Sequence, residues 1–125
     1  MARHNQIHFR TEIAIEEGRL EEFKKLAVEM MRTVEANEPD TMIYEFCFDR
    51  SGTRCVVNEV YGDSGAALAH RNGVASRTIL PKILSISKVD RLEVYGSPSE
   101  ELQRALAGSN AHVYHRFVWI DRSQS

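Results

Sequence analysis

Four side chains in the middle of the chain have the chemistry of an acid–base site. Imidazole titrates near neutral pH, so His70 is the first candidate for a general base. Glu59 is a candidate proton acceptor, and Tyr44 and Tyr61 could hydrogen-bond a bound molecule. An alternative stays open for each: a histidine that caps or packs between helix and sheet, a glutamate in a structural pair with an arginine or tyrosine, and tyrosines of the core.

The pattern around a hairpin places three of these residues on one face of a sheet. Two segments of alternating polarity flank a turn at residues 50–53, which is typical of a β-hairpin. An even-length loop pairs Tyr44 with Glu59, and period-two alternation puts Tyr61 on the same face. Asn58 points to the other face, where we expect a structural role.

Other catalytic classes lack their sequence signatures. His112 and His115 are three residues apart on a predicted strand, so they point to opposite faces, and no Cys, His or carboxylate cluster has the spacing of a metal site. Gly62 and Gly65 do not form a dinucleotide- or phosphate-binding loop, and a Gly-x-Ser-x-Gly motif is absent. The sequence therefore predicts a site without metal or cofactor, or no catalysis.

Composition limits the partners and the compartment. The 125 residues include 16 Lys/Arg and 18 Asp/Glu, a net charge of −2 that is not basic enough to indicate nucleic-acid binding. No apolar run approaches the roughly 18 residues of a membrane span, and the opening six residues lack the apolar region of a secretory signal. We therefore expect one cytoplasmic domain over residues 1–125, with no nucleic-acid or membrane partner.

The two cysteines give the same indication of compartment. The hairpin pairing places Cys47 and Cys55 on opposite faces of the sheet, which excludes a disulfide between them. Buried free thiols are the expectation in a cytoplasmic chain.

Apolar periodicity predicts an α+β domain in which two βαβ halves precede a further helix and strand. The predicted elements are strand 6–15, helix 20–37, strands 41–49 and 55–61, helix 63–71 with a second piece over 74–80 ended by Pro81, strand 85–95, a short helix opened by a capping box over 97–100 with Pro98 at its first position, and a last strand over 113–119. This order is the ferredoxin-like split βαβ. Helices cover one face of its sheet, and the other face is too apolar to stay exposed, so we expect a homodimer packed sheet on sheet.

Two stretches of the chain carry a family resemblance. The first runs from Phe23-Lys24-Lys25-Leu26 to Asn37-Glu38-Pro39 and Ile43-Tyr44-Glu45, and the second is Asn58-Glu59-Val60-Tyr61-Gly62-Asp63-Ser64 with Ala66, Ala67 and His70. Together, over about residues 6–95, they resemble the antibiotic biosynthesis monooxygenase family, particularly its small quinol-monooxygenase-like members. The resemblance implies a dimeric α+β barrel, in which residues 97–119 resemble an appended element that lies along the partner chain.

The activity that this resemblance implies is a cofactor-independent oxygenation of phenols, quinols or hydroxyquinones. The protein then removes a proton, holds the oxyanion and excludes water, and the family motif has a histidine at the position of His70. The haem-degrading relatives have a tryptophan at the position of Tyr61 and an asparagine on the first strand. That strand has His8, Arg10 and Glu12 here, so haem is not expected.

Three functions stay open at this point. The first is a monooxygenase acting with O₂ on a small aromatic, quinol-type substrate, and the second is a non-catalytic dimeric ligand-binding or accessory protein. The third is an isomerase that uses His70 and Glu59 as an acid–base pair. A cavity lined jointly by Tyr44, Tyr61 and His70 favours an enzyme, whereas a pocket filled by these side chains favours the accessory protein.

Overall fold

A computed structural model describes residues 5–122, so both ends of the expected domain and most of the opening segment lie outside the described residues. The elements are β1 (Ile7–Ile15), α1 (Leu20–Asn37), β2 (Thr41–Phe48), β3 (Arg54–Tyr61), α2 (Ser64–Arg71), α3 (Val74–Thr78), α4 (Leu80–Leu84), β4 (Ser87–Tyr95), α5 (Glu100–Leu106) and β5 (His112–Tyr114). The predicted α+β order is confirmed.

The five strands form one sheet in the order β2-β3-β1-β4-β5. The first four pair antiparallel, as in a ferredoxin-like split βαβ, and β5 adds parallel to β4 at the edge. Alternate residues of β1 and β3 are buried against the helices: Ile7, Phe9, Ile13, Cys55, Val57 and Tyr61. The core therefore lies between the helices and one face of the sheet.

Among residues 5–122, no helix is long and apolar enough to cross a membrane.

Helix α1 is positioned by a stripe of apolar residues. Its buried side chains recur every three or four residues, as a helix packed on a sheet requires: Phe23, Ala27, Met30 and Val34. The helix ends at Asn37, and the next N–H, that of Glu38, still bonds to the Val34 carbonyl at 2.9 Å. Pro39 then prevents continuation because it has no N–H to donate. This end point brings Glu38 to the sheet at the start of β2.

The hairpin register follows the prediction. Phe48 lies opposite Cys55, and Tyr44 lies opposite Glu59. An irregularity between Thr41 and Ile43 interrupts the alternation at the start of β2. Both cysteines are free, as expected from the register, but Cys47 is exposed, so the expectation that both thiols are buried is wrong.

Two helix boundaries differ from the prediction. Pro81 does not end a helix over 74–80: it lies in the first turn of α4, where its missing N–H costs no helical bond. The capping box over 97–100 is also wrong, since α5 begins at Glu100 and its N-cap is Ser99, whose Oγ accepts from the Leu102 N–H at 3.1 Å. Pro98 precedes that cap instead of occupying the first helical position.

The last predicted strand is wrong beyond Tyr114. The three residues of β5 pair with β4 of their own sheet. Beyond them, His115 Nδ1 lies 3.1 Å from the Gly96 carbonyl, and Arg116 donates to the Gln6 carbonyl at 2.9 Å. These contacts hold the chain against the residue that precedes β1 and end the pairing, so Phe117 is 94% exposed.

Candidate active site

A cavity of about 620 Å³ lies between the helices and the sheet. Its lining is mostly apolar, with contributions from β1, β2, β3, β4 and the helices α2 and α4. All four predicted site residues line it: Tyr44, Glu59, Tyr61 and His70. The structure therefore brings these side chains together around open space.

The local sequence explains how the four residues meet. The hairpin register sets Tyr44 beside Glu59, and Tyr61 follows two residues later on the same face. Asp63 then caps α2 by accepting a backbone N–H at 2.9 Å, and the helix returns over the sheet. The buried side of α2 carries His70, which is only 6% exposed.

The imidazole of His70 is held from two sides. Its Nδ1 lies 2.8 Å from Glu38 Oε1, and its Nε2 lies 3.8 Å from Glu59 Oε1. Ser76 Oγ donates to the His70 carbonyl at 2.7 Å and fixes the end of α2. Because a carboxylate only accepts hydrogen bonds, an ionised Glu38 selects the tautomer with the proton on Nδ1. The accepting nitrogen is then Nε2, which lies on the side of Glu59 and 3.4 Å from Ser76 Oγ.

Burial of Glu59 favours the protonated form of its carboxyl group. Its side chain is 14% exposed, and desolvation raises the pKa of its carboxyl group above the ordinary value. The nearby His70 and the hydroxyl of Tyr61, which donates to Glu59 Oε1 at 2.5 Å, act in the opposite direction but are weaker. Glu59 is thus a carboxyl group poised to give or take a proton inside the cavity.

The two tyrosines remain neutral hydrogen-bonding groups. Burial is the main cause that raises the pKa of Tyr44 and of Tyr61 far above the ordinary value, and the negative charge of Glu59 adds to it. Their rings flank the imidazole of His70, at centroid distances of 5.3 Å and 5.5 Å respectively. Each tyrosine therefore lies beside His70 and Glu59 and keeps its own proton.

Sequence reasoning missed Glu38 as a site residue. Its side chain is 8% exposed, and its Oε1 also accepts from Thr41 Oγ1 at 3.0 Å, while its Oε2 is buried without a hydrogen-bond partner among the described residues. The signal in the sequence was its position: an acid directly after a helix end faces the negative end of the helix dipole. A carboxylate at this unfavourable position indicates that another group stabilises it. In the structure that group is His70.

Glycine at position 73 permits this arrangement. A Cβ on Gly73 would lie 3.2 Å from Glu38 Oε2 and 3.0 Å from the Ala69 carbonyl. Any larger residue would therefore crowd the carboxylate that holds His70. The close approach of the α2–α3 turn to Glu38 depends on this missing side chain.

Outside the cavity, the structure agrees with the predicted placement of Asn58. Its amide donates to Glu45 Oε2, and its Oδ1 lies 3.1 Å from His8 Nε2, on the face of the sheet away from the helices. Within residues 5–122, no group of three His, Cys, Asp or Glu side chains could hold a metal ion.

Comparison with known proteins places the fold. No protein-family model and no curated protein matches the sequence. Among solved structures, MupZ from Pseudomonas fluorescens superimposes with a TM-score of 0.85 at 24% identity, covering 97% of this chain and 98% of MupZ. A candidate antibiotic biosynthesis monooxygenase from Caulobacter crescentus gives 0.69 at 16% identity, over 77% of this chain and 92% of its own.

The chain has the antibiotic biosynthesis monooxygenase fold. A mutant of SnoaB, a cofactor-independent oxygenase from Streptomyces nogalater, shares that fold with a TM-score of 0.65 at 12% identity, over 76% of this chain and 95% of its own. MupZ covers about a fifth more of the chain than these two proteins do. That share is about the length of the part that follows β4. At these identities the likeness concerns the fold.

Proposed function

We propose that this protein is an enzyme that removes a proton from a small, largely apolar aromatic substrate and oxidises it with O₂ without a cofactor. One observation carries the proposal. His70, held by Glu38 at 2.8 Å, lies beside Glu59 at the polar part of a cavity with mostly apolar walls. A base of this kind forms the electron-rich anion, and an apolar cavity limits its quenching by water.

The proposed reaction balances without a second reductant. His70 takes the proton of a phenolic hydroxyl, and the phenolate gives one electron to O₂. The resulting radical and superoxide combine at a ring carbon that carries hydrogen. Loss of water from this hydroperoxide leaves a quinone, so one oxygen atom enters the product and the other leaves as water. Tyr44 and Tyr61 would hydrogen-bond the phenolate oxygen.

Isotope labelling tests where the new oxygen atom originates. Conversion of a naphthol or hydroquinone under ¹⁸O₂ should give a quinone with one ¹⁸O, measured by mass spectrometry before exchange with water. A label that comes only from H₂¹⁸O would contradict oxygenation by O₂.

The contact between His70 and Glu59 favours a second candidate function. A base and a buried acid 3.8 Å apart can take a proton from one atom of a substrate and return it to another. That reaction is an isomerisation and consumes no O₂. It would use the same cavity and the same pair of residues.

Glu59→Gln distinguishes a proton-transfer role from a structural one. The amide still accepts the Tyr61 hydrogen bond but cannot ionise, so we expect turnover to fall by about 10²-fold or more. Burial raises the pKa of Glu59, so the buried carboxyl group is favourable while it is neutral. The stability that it contributes is therefore present at low pH and is lost as the pH rises and the group ionises. The variant should therefore melt at or above the wild-type temperature at pH 8 and near it at pH 5. A lower melting temperature with unchanged turnover would show a structural pair.

We also propose that the chain forms a homodimer through the open face of the sheet. On β2 this face presents Ile43, which is 47% exposed, and on β3 it presents Val56 and Val60. On β1 and β4 the same face carries ion pairs, in which Arg10 and Arg91 both contact Glu93. Obligate homodimer interfaces often bury about 2,000 Å² or more, and an interface of that size keeps the dimer together at micromolar concentration. Light scattering at that concentration should therefore give twice the monomer mass. A monomer would contradict this proposal.

The exposed segment after β5 provides a second test of the dimer. Phe117 and Ile120 are largely exposed within residues 5–122, and we expect them to pack on the partner. The double substitution Phe117→Ser and Ile120→Ser should raise the dimer dissociation constant at least about tenfold. Val28→Ser, at an exposed apolar position of α1, is the matched control and should leave it unchanged. An unaltered dissociation constant in the double variant would exclude packing of these residues on the partner.

Cytoplasmic location stays a prediction.

A further inference from the structure

The rim of the cavity carries a single basic side chain. Within the described part of the chain, Arg71 is the only lysine or arginine that lines the cavity. It is exposed and directly follows His70 at the end of α2. The other exposed residues of the lining are Asn72, Leu84, Val89, Ala105 and Ser109, and none of them is charged.

The guanidinium group of Arg71 is anchored but not neutralised. One Nη donates to the Ala105 carbonyl at 3.1 Å, which ties α2 to α5. A guanidinium has five N–H donors, so most of its donors remain available. No carboxylate in residues 5–122 forms an ion pair with it, and its charge reaches Glu59 only as the weakest influence on that residue. An anchored cation therefore borders the cavity beside the proton-transfer pair.

We infer that Arg71 binds a carboxylate or similar anionic group of the substrate, whose apolar body fills the cavity toward His70. This inference rests on the proposed function, because it assumes that the cavity is the substrate site. The planar fork of arginine binds a carboxylate with two parallel hydrogen bonds, and its anchor on Ala105 reduces the entropy lost on binding. The substrate class is then an amphiphilic aromatic acid, not a neutral quinol.

Two fluorescent dyes that differ by one anionic group test this inference. 8-Anilinonaphthalene-1-sulfonate and neutral N-phenyl-1-naphthylamine share the same aromatic body. Arg71→Gln should weaken binding of the sulfonate about tenfold or more and leave the neutral dye unchanged, since charge-assisted hydrogen bonds are lost only from the former. Arg71→Lys should restore part of the affinity. Arg77→Gln is the matched control, because Arg77 is also exposed and also bonds to a backbone carbonyl but does not line the cavity.

The outcomes separate this inference from the proposed function. Equal losses in Arg71→Gln and Arg77→Gln, equal losses for both dyes, or no loss would overturn the anion site. Ala105→Trp narrows the rim and should weaken both dyes; unchanged binding there would place the dyes elsewhere and overturn the inference as well. Dye binding needs no turnover. Binding that depends on Arg71 in a protein without oxygenase activity would therefore support the anion site and contradict the proposed reaction.

Discussion

Replacement of His70 by alanine should lower turnover by about 10²–10⁴-fold, the usual contribution of a general base. The reason is geometric: Nδ1 is occupied by Glu38, so Nε2, on the side of Glu59, is the nitrogen that can take a proton. The measurement is steady-state turnover of an accepted substrate by purified protein. Folding is checked by circular dichroism and melting temperature.

A companion variant guards against an indirect effect. His70→Ala leaves Glu38 buried without its partner, which alone is destabilising. His70→Gln can still donate to Glu38 but cannot take a proton at neutral pH, so it should lose activity equally while keeping the melting temperature. Tyr61→Phe should cost less, because it removes one hydrogen bond and keeps the ring. Full turnover in a folded His70→Gln protein would end the assignment of the base.

Glu38→Gln should lower turnover by about 10²-fold with little change in KM. A buried carboxylate on Nδ1 orients the imidazole and stabilises its protonated form, as in the carboxylate–histidine pairs of hydrolases. Without that charge the imidazole loses the group that orients it for proton transfer, so kcat should fall while KM changes little. A fall in kcat at unchanged KM and melting temperature separates this positioning role from a purely structural one, which would change stability only.

Glu35 offers the control for this substitution. Glu35 lies on the exposed side of α1, three residues before Glu38, and Glu35→Gln removes the same charge. This variant should keep the wild-type turnover and KM. If Glu38→Gln also kept the wild-type turnover, the pairing of Glu38 with His70 would have no part in catalysis.

Local pattern was enough to predict the part of the site that lies on the hairpin. The pairing of Tyr44 with Glu59 follows from an even loop and period-two alternation, which are short-range properties of the chain. The cap at Asp63 is equally local, and it starts the helix that carries His70. The ferredoxin-like order follows from the same periodicities, so the fold was predictable as well.

What the sequence could not supply are contacts between distant elements. Glu38 and His70 are separated by 32 residues, and only the tertiary fold brings the residue that follows α1 beside α2. The early end of the last strand has a similar origin, because Arg116 bonds to the Gln6 carbonyl across nearly the whole chain. Alternation alone predicted a longer strand, and tertiary hydrogen bonds override that pattern.

Oxygen uptake is the most direct measurement of the proposed function. Wild-type protein freed of metals by a chelator is added to naphthols, hydroquinones and their carboxylated derivatives in an oxygen electrode, without flavin. The account predicts uptake of one O₂ per quinone formed with at least one of these compounds, and its loss in His70→Gln. No uptake above the uncatalysed rate with any of them, or equal uptake by the wild type and His70→Gln, would contradict the account.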